Sequence, residues 1–119
     1  MNIELLPGRY EVRKLTDKDT DGIYRLCSGN LLYYQYCPPF VTRQSILEDM
    51  EALPPGRDIT DKHYVGFFHK GKMIAVLDFI DGYPEKTAGY IGFFMVDLSV
   101  QSQGIGSSII GDLCKYLEE

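Results

Sequence analysis

Between His63 and Val96 three apolar runs follow one another, HYVGFFH, MIAVLDFI and GYIGFFMV. Runs of this length, rich in β-branched and aromatic residues and bounded by glycine and proline, read as strands. A turn at Lys70-Gly71 joins the first two as a hairpin, and Asp81-Gly82-Tyr83-Pro84 marks a turn before the third. The second run is apolar on both faces except at Asp78, which predicts a central strand. In the third, Gly92 predicts a bulge or a close backbone approach. Antiparallel neighbours of this kind need a helix layer to cover them, and the rest of the chain supplies one.

Upstream, residues 10–15 (YEVRKL) predict a further strand with one exposed face. Thr16 with Asp19 forms a capping-box pattern that opens a helix running to about Cys27 and ended by Gly29-Asn30. The aromatic stretch LLYYQYCPPF, residues 31–40, closes on two prolines and predicts a loop or a broken helix. Thr42 opens the next helix, with Ile46, Leu47, Met50 and Leu53 as one stripe and Pro54-Pro55-Gly56 as its stop. From Gly104 onward Ile105, Ile109, Ile110, Leu113 and Leu117 make a last helical stripe. The expected class is therefore α+β, in the order β-α-α-β-β-β-α, as one domain over residues 1–119.

A chain of 119 residues with 45% hydrophobic and 24% charged content can bury a core without staples. A net charge of −5 leaves no broad cationic surface for nucleic acid or an anionic membrane. Neither a signal peptide nor a membrane-spanning run is evident, so the expected location is cytoplasmic. Cys27, Cys37 and Cys114 are odd in number and fit neither a disulfide framework nor a zinc site; they read as reduced thiols filling the core. His63 and His69 share a strand face but lack a third ligand and read as surface residues, so no metal is expected.

The stretch VDLSVQSQGIGSSII, residues 96–110, passes from strand through two glycines into helix. Backbone N–H groups at a helix start have no intrahelical acceptor and converge on one point, which suits an anion. Gly104 and Gly106 carry no Cβ to hold a diphosphate off, and no lysine or arginine lies between Gln101 and Asp112, so dipoles would supply the attraction. A Walker loop is excluded by the missing Gly-Lys-Ser/Thr, and a dinucleotide fingerprint by Ile109 at the third glycine position.

The spacing Gln101-x-x-Gly104-x-Gly106, after a strand and opening a helix, resembles the coenzyme A diphosphate loop of the GNAT N-acetyltransferases. MVDLSVQSQGIGSSII resembles that family's strand-loop-helix motif throughout, and the order of elements before it is similar. The resemblance implies a GNAT-like mixed, mostly antiparallel sheet flanked by helices. It implies acetyl-CoA as co-substrate and direct acetyl transfer to a primary amine of a small molecule or peptide. It also implies that Phe94, Met95 and Val96 pair with the pantetheine arm. The amides of Gln103, Gly104, Ile105, Gly106 and Ser107 would face the diphosphate, with Gln101 and Ser102 shaping the entry.

Relative to that family the chain is C-terminally incomplete, since a further strand, helix and last strands are not in it. That leaves residues 89–96 as an apolar edge expected to recruit a second copy as a homodimer. No glutamate stands near Gly92 and Phe93, where many members carry the base, so no catalytic residue is assigned. Asp78 either orients a water or, as the ordinary expectation, sits at a sheet edge or caps a loop. Tyr33, Tyr34 and Tyr36 either wall an acceptor pocket or cover the core. The alternative function is a non-catalytic acyl-CoA-binding or assembly module.

Overall fold

The computed structural model describes residues 10–83 and 89–118, the side chains at 102, 103 and 114–118 excepted. Pro84 of the second turn, Cys114 and Leu117 thus lie outside the described residues or side chains. In chain order the elements are β1 (Glu11–Lys14), α1 (Thr20–Ser28), α2 (Leu31–Tyr36), α3 (Arg43–Glu51), β2 (Lys62–His69), β3 (Lys72–Asp81), β4 (Gly89–Val96) and α4 (Ile105–Glu118). The four strands form one antiparallel sheet in the order β1-β2-β3-β4. The expected α+β class and its strands are present.

The local reasons are visible at each joint. Lys70 and Gly71 both take positive φ, 52° and 81°, which is the backbone of a hairpin turn matched to the sheet twist. The Thr16–Asp19 capping box is formed, with Thr16 N donating to Asp19 Oδ2 at 2.9 Å. It heads a single 3₁₀ turn rather than α1 itself, which begins at Thr20. Arg13 on β1 also holds Asp19, at 3.0 Å, and so ties the turn to the sheet. Thr42 and Ser45 cap α3 reciprocally, at 2.9 and 3.0 Å. That helix stops at Glu51, so Leu53 lies beyond it and Ile46 is its one fully buried residue.

Residues 31–40 differ from a plain loop: Leu31–Tyr36 is a six-residue helix, giving three helices before β2 instead of two. Asn30 starts it, its carbonyl accepting from Tyr34 N at 3.5 Å, and the prolines after Cys37 end it. None of its residues is buried, and Leu31, Leu32 and Tyr36 stand in the open at 68%, 66% and 77% exposure. A helix of this kind is held at its ends and leaves an apolar flank uncovered.

Helices cover both faces of the sheet, which is why the interior of β3 is apolar on both sides except at Asp78. On one face Ile105, Ile109 and Leu113 of α4 pack against Val65, Phe67, Leu77 and Phe79. On the other, Ile23, Leu26 and Cys27 of α1 and Ile46 of α3 pack against Tyr64, Met73, Val76 and Met95. β4 has no strand on its outer side among the described residues. Gly92 is a bulge: Asp78 faces Phe93 and Phe79 faces Ile91, so Gly92 is the extra residue on β4.

Candidate functional site: the cleft at the end of β4

β4 ends where α4 begins, and a cleft of about 540 Å³ opens between them and α2. Phe94, Met95, Val96, Gln101, Gly104, Gly106 and Ser107 all line it, opposite Gly29, Asn30, Leu31, Leu32 and Tyr33, with Leu98 at the rim. Seven of the ten residues singled out from sequence therefore share one wall. Ile105 does not line it; its side chain is buried under the sheet, leaving its backbone amide as the group that could face outward. Ser102 and Gln103 lie in the 3₁₀ turn Leu98–Gln103, and their side chains are outside the described set.

Gly104 sits at φ 75°, ψ 11°, the left-handed region that a Cβ disfavours. The turn it makes sends the chain into α4, whose first ladder bond runs from Ser108 N to Gly104 O at 3.1 Å. The amides of Ile105, Gly106 and Ser107 come before that bond, at the positive end of a fourteen-residue helix. Gly106 is different: a Cβ there would meet Val96 and Phe94 side chains at an ordinary 3.5 and 3.6 Å.

β4 presents its backbone to the same cleft. Asp97 N donates to Ile74 O at 2.8 Å, so by the two-residue alternation of an antiparallel ladder Met95 bonds to β3 while Phe94 and Val96 turn their amides and carbonyls to the free edge. The Val96 carbonyl accepts from Gln101 Nε2 at 2.9 Å and from Asn30 Nδ2 at 3.4 Å. Gln101 Nε2 also donates to Asn30 Oδ1 in a short contact, and Asn30 Nδ2 to Leu26 O at 3.0 Å. Gln101 thus bolts the cleft's two walls together at their base. Asn30, read from sequence as a helix stop, is a buried part of the site.

Two smaller cavities continue past Tyr33. One, about 270 Å³, is walled by Tyr33, Tyr34, Phe40, Phe93 and Tyr64, with Asp49 and Cys27 among its lining residues. The next, about 320 Å³, shares Asp49 and Phe93 and adds Asp78, Tyr90 and Gly92. Burial pushes the Cys27 thiol up to about 11, against the pull of the Tyr34 hydroxyl, so it is a neutral filler and no nucleophile. Cys37 is exposed, contrary to the core position expected for it, because it sits in the turn after α2. Tyr33 and Tyr34 line the first of these two cavities, whereas Tyr36 is exposed to solvent.

The strand, loop and helix arrangement is matched by the acetyltransferase (GNAT) family model over residues 30–119, more than half of the chain. The chain belongs to the GNAT acetyltransferase family. Its fold is similar to that of an acetyltransferase from Thermus thermophilus (TM-score 0.76, 16% identity, 91% of this chain and 69% of that one). The PaiA N-acetyltransferase of Thermoplasma acidophilum in complex with coenzyme A is also similar (0.61, 12%, 92% and 72%). So is a ribosomal-protein-alanine N-acetyltransferase from Brucella melitensis biovar Abortus (0.61, 18%, 93% and 73%). At these identities the likeness is one of fold. No curated protein matches the chain.

Within this GNAT domain Asp78 is neither at a sheet edge nor capping a loop. It lies on the inner strand β3, buried, with Oδ2 accepting from Lys62 Nζ at 3.0 Å and Oδ1 without a partner. Lys62 Nζ donates also to Ala52 O at 2.6 Å, which ties the pair to the chain just past α3. Burial raises the Asp78 carboxyl above the usual carboxylate range, offset in part by Lys62. Gly92 bulges directly over it: a Cβ there would come within 3.1 Å of Asp78 Oδ2. His63 is half-buried beside the Phe79 ring, and His69 lies edge-on to Tyr10. Among the described residues no cluster of three metal-ligating side chains exists, and no helix is long and apolar enough to cross a membrane.

Proposed function

We propose that this GNAT chain transfers the acetyl group of acetyl-CoA to a primary amine of a small molecule or peptide. What carries the reading is that Gly106 and Ser107, whose amides precede the first ladder bond of α4, line one cleft of about 540 Å³ together with the free edge of Phe94 and Val96. The residues fit the coenzyme. The left-handed Gly104 and the start of α4 suit a diphosphate, and the outward amides of Phe94 and Val96 with the Phe94 carbonyl suit an amide-bearing arm laid beside β4 as an added strand. Exposed Leu31, Leu32 and Leu98 give the arm an apolar lip.

Acetyl-CoA supplies the activated thioester. A neutral amine nitrogen attacks its carbonyl carbon; the C–N bond forms, the C–S bond breaks, the nitrogen loses a proton and the thiolate takes one up. In this reading the outward amide of Phe94 would donate to the thioester oxygen as charge develops on it. No side chain is assigned as base.

In this proposal residues 1–119 work as one cytoplasmic domain. The half of β4 before the Gly92 bulge, with Tyr90 and Ile91 exposed, remains an edge on which a second copy can pair. The test is calorimetric titration with coenzyme A, followed by thiol release from acetyl-CoA in the presence of an amine panel. Binding with turnover supports the enzyme. Binding and thermal stabilisation without turnover supports a coenzyme-binding module instead. Absence of binding ends the proposal.

A further inference from the structure

The two cavities beyond Tyr33 have a chemistry of their own. The nearer is largely aromatic, walled by Tyr33, Tyr34, Phe40 and Phe93, with the Tyr33 and Phe93 rings 6.2 Å apart edge to face. Asp49 lines both cavities, and among the described residues its carboxylate makes no hydrogen bond or ion pair. Asp78 lines the farther one, 8% exposed, with its Oδ1 unpartnered. Neither cavity has a lysine or arginine in its wall; Lys62 lies beneath, its ammonium taken up by Asp78 and Ala52. Two carboxylates therefore share one cation, and the space they border carries an excess of negative charge. An anion would be repelled there, and a strongly hydrated group would be poorly matched to the aromatic wall.

We infer that these cavities select the acceptor, and that Asp49 is the specificity-determining residue. The acceptor is a primary amine on an aromatic or branched apolar body, entering as an ammonium that pairs with Asp49 while its body lies among Tyr33, Tyr34, Phe40 and Phe93. The placement suits the reaction. A coenzyme arm running up β4 from Val96 to Phe94 brings its reactive end toward Phe93, which borders both cavities beside Asp49. This rests on the proposed acetyl transfer only for the fate of the amine, since binding of the amine itself needs no coenzyme.

The test is titration of the coenzyme-free protein, followed by NMR, with 2-phenylethylamine, 3-phenylpropionate and ethanolamine. The expected result is binding of 2-phenylethylamine with amide shifts at Tyr33 and Phe93, and affinities at least about tenfold weaker for the carboxylate and for the hydrophilic amine. Asp49→Asn, which keeps the shape, lowers the 2-phenylethylamine affinity about tenfold, while Glu48→Gln, at the preceding position of α3 and lining neither cavity, leaves it unchanged. Equal affinity for the carboxylate, an unaffected Asp49→Asn variant, shifts elsewhere, or no binding of the amine each overturn the inference. Amine binding without coenzyme A binding would instead refute the acetyl-CoA reading and leave this one standing.

Discussion

The side-chain amide of Gln101 donates to the main-chain carbonyl of Val96 at 2.9 Å, closing the turn between β4 and α4 from the inside. The same nitrogen reaches Asn30, so one side chain joins the end of β4 to the junction of α1 and α2. Gln101→Ala removes both bonds and leaves the buried Asn30 Oδ1 unpaired. A loss of about 1–3 kcal/mol is expected, read as a lower urea midpoint with an unchanged slope. An unchanged midpoint would mean that the bolt holds nothing.

The two loop glycines serve different ends, and one substitution separates them. Gly104→Ala forces a Cβ into the left-handed region at a cost of about 1–2 kcal/mol and tilts the amides that follow. Gly106→Ala places a methyl at ordinary contact distance and leaves the fold within about 0.5 kcal/mol. Thermal denaturation of both variants checks the contrast.

Much of this architecture was legible because it is local. The hairpin at Lys70-Gly71, the bulge at Gly92 and the spacing of Gln101, Gly104 and Gly106 each declare themselves within a few residues. What stayed hidden depends on partners far apart in sequence. Asn30 looked like a helix stop, and nothing near it announces Gln101. Asp78 showed itself as a lone charge in an apolar strand, which signals a partner without naming Lys62 on the neighbouring strand. Asp49 borders the cavities only because α3 packs on the sheet face that carries Tyr64 and Phe93. The α2 helix was obscured by aromatic residues and prolines whose propensities favour other structure, and it persists through its ends.

Lys62 and Asp78 are a buried pair, 3% and 11% exposed at their side chains. Removing one member strands the other, so Lys62→Met should cost about 3–5 kcal/mol. Adding Asp78→Leu should recover most of that loss, because the uncompensated charge goes with it. A double-mutant cycle by urea unfolding gives the coupling; additive losses would contradict a paired role.

Asp97 supplies a pH dependence with a definite sign. Burial alone would raise its carboxyl, but the Ser99 hydroxyl and amide, with Lys72 and Arg25, outweigh that and hold it below the usual range. A carboxyl depressed in the folded state contributes stability that is complete above its unfolded value near ~3.9 and is lost as pH falls through the folded one. Stability should therefore fall more steeply below about pH 4 in the native chain than in Asp97→Asn. Parallel acid-unfolding curves would remove Asp97 from the account.

The central claim is that main-chain amides at the start of α4 hold the coenzyme's diphosphate. Amide NMR spectra recorded during titration with coenzyme A test it residue by residue. The account predicts saturating shifts concentrated at Gly104, Ile105, Gly106 and Ser107, with a second group at Phe94 and Val96. Saturating shifts confined to other parts of the chain, or none at millimolar coenzyme A, would contradict it.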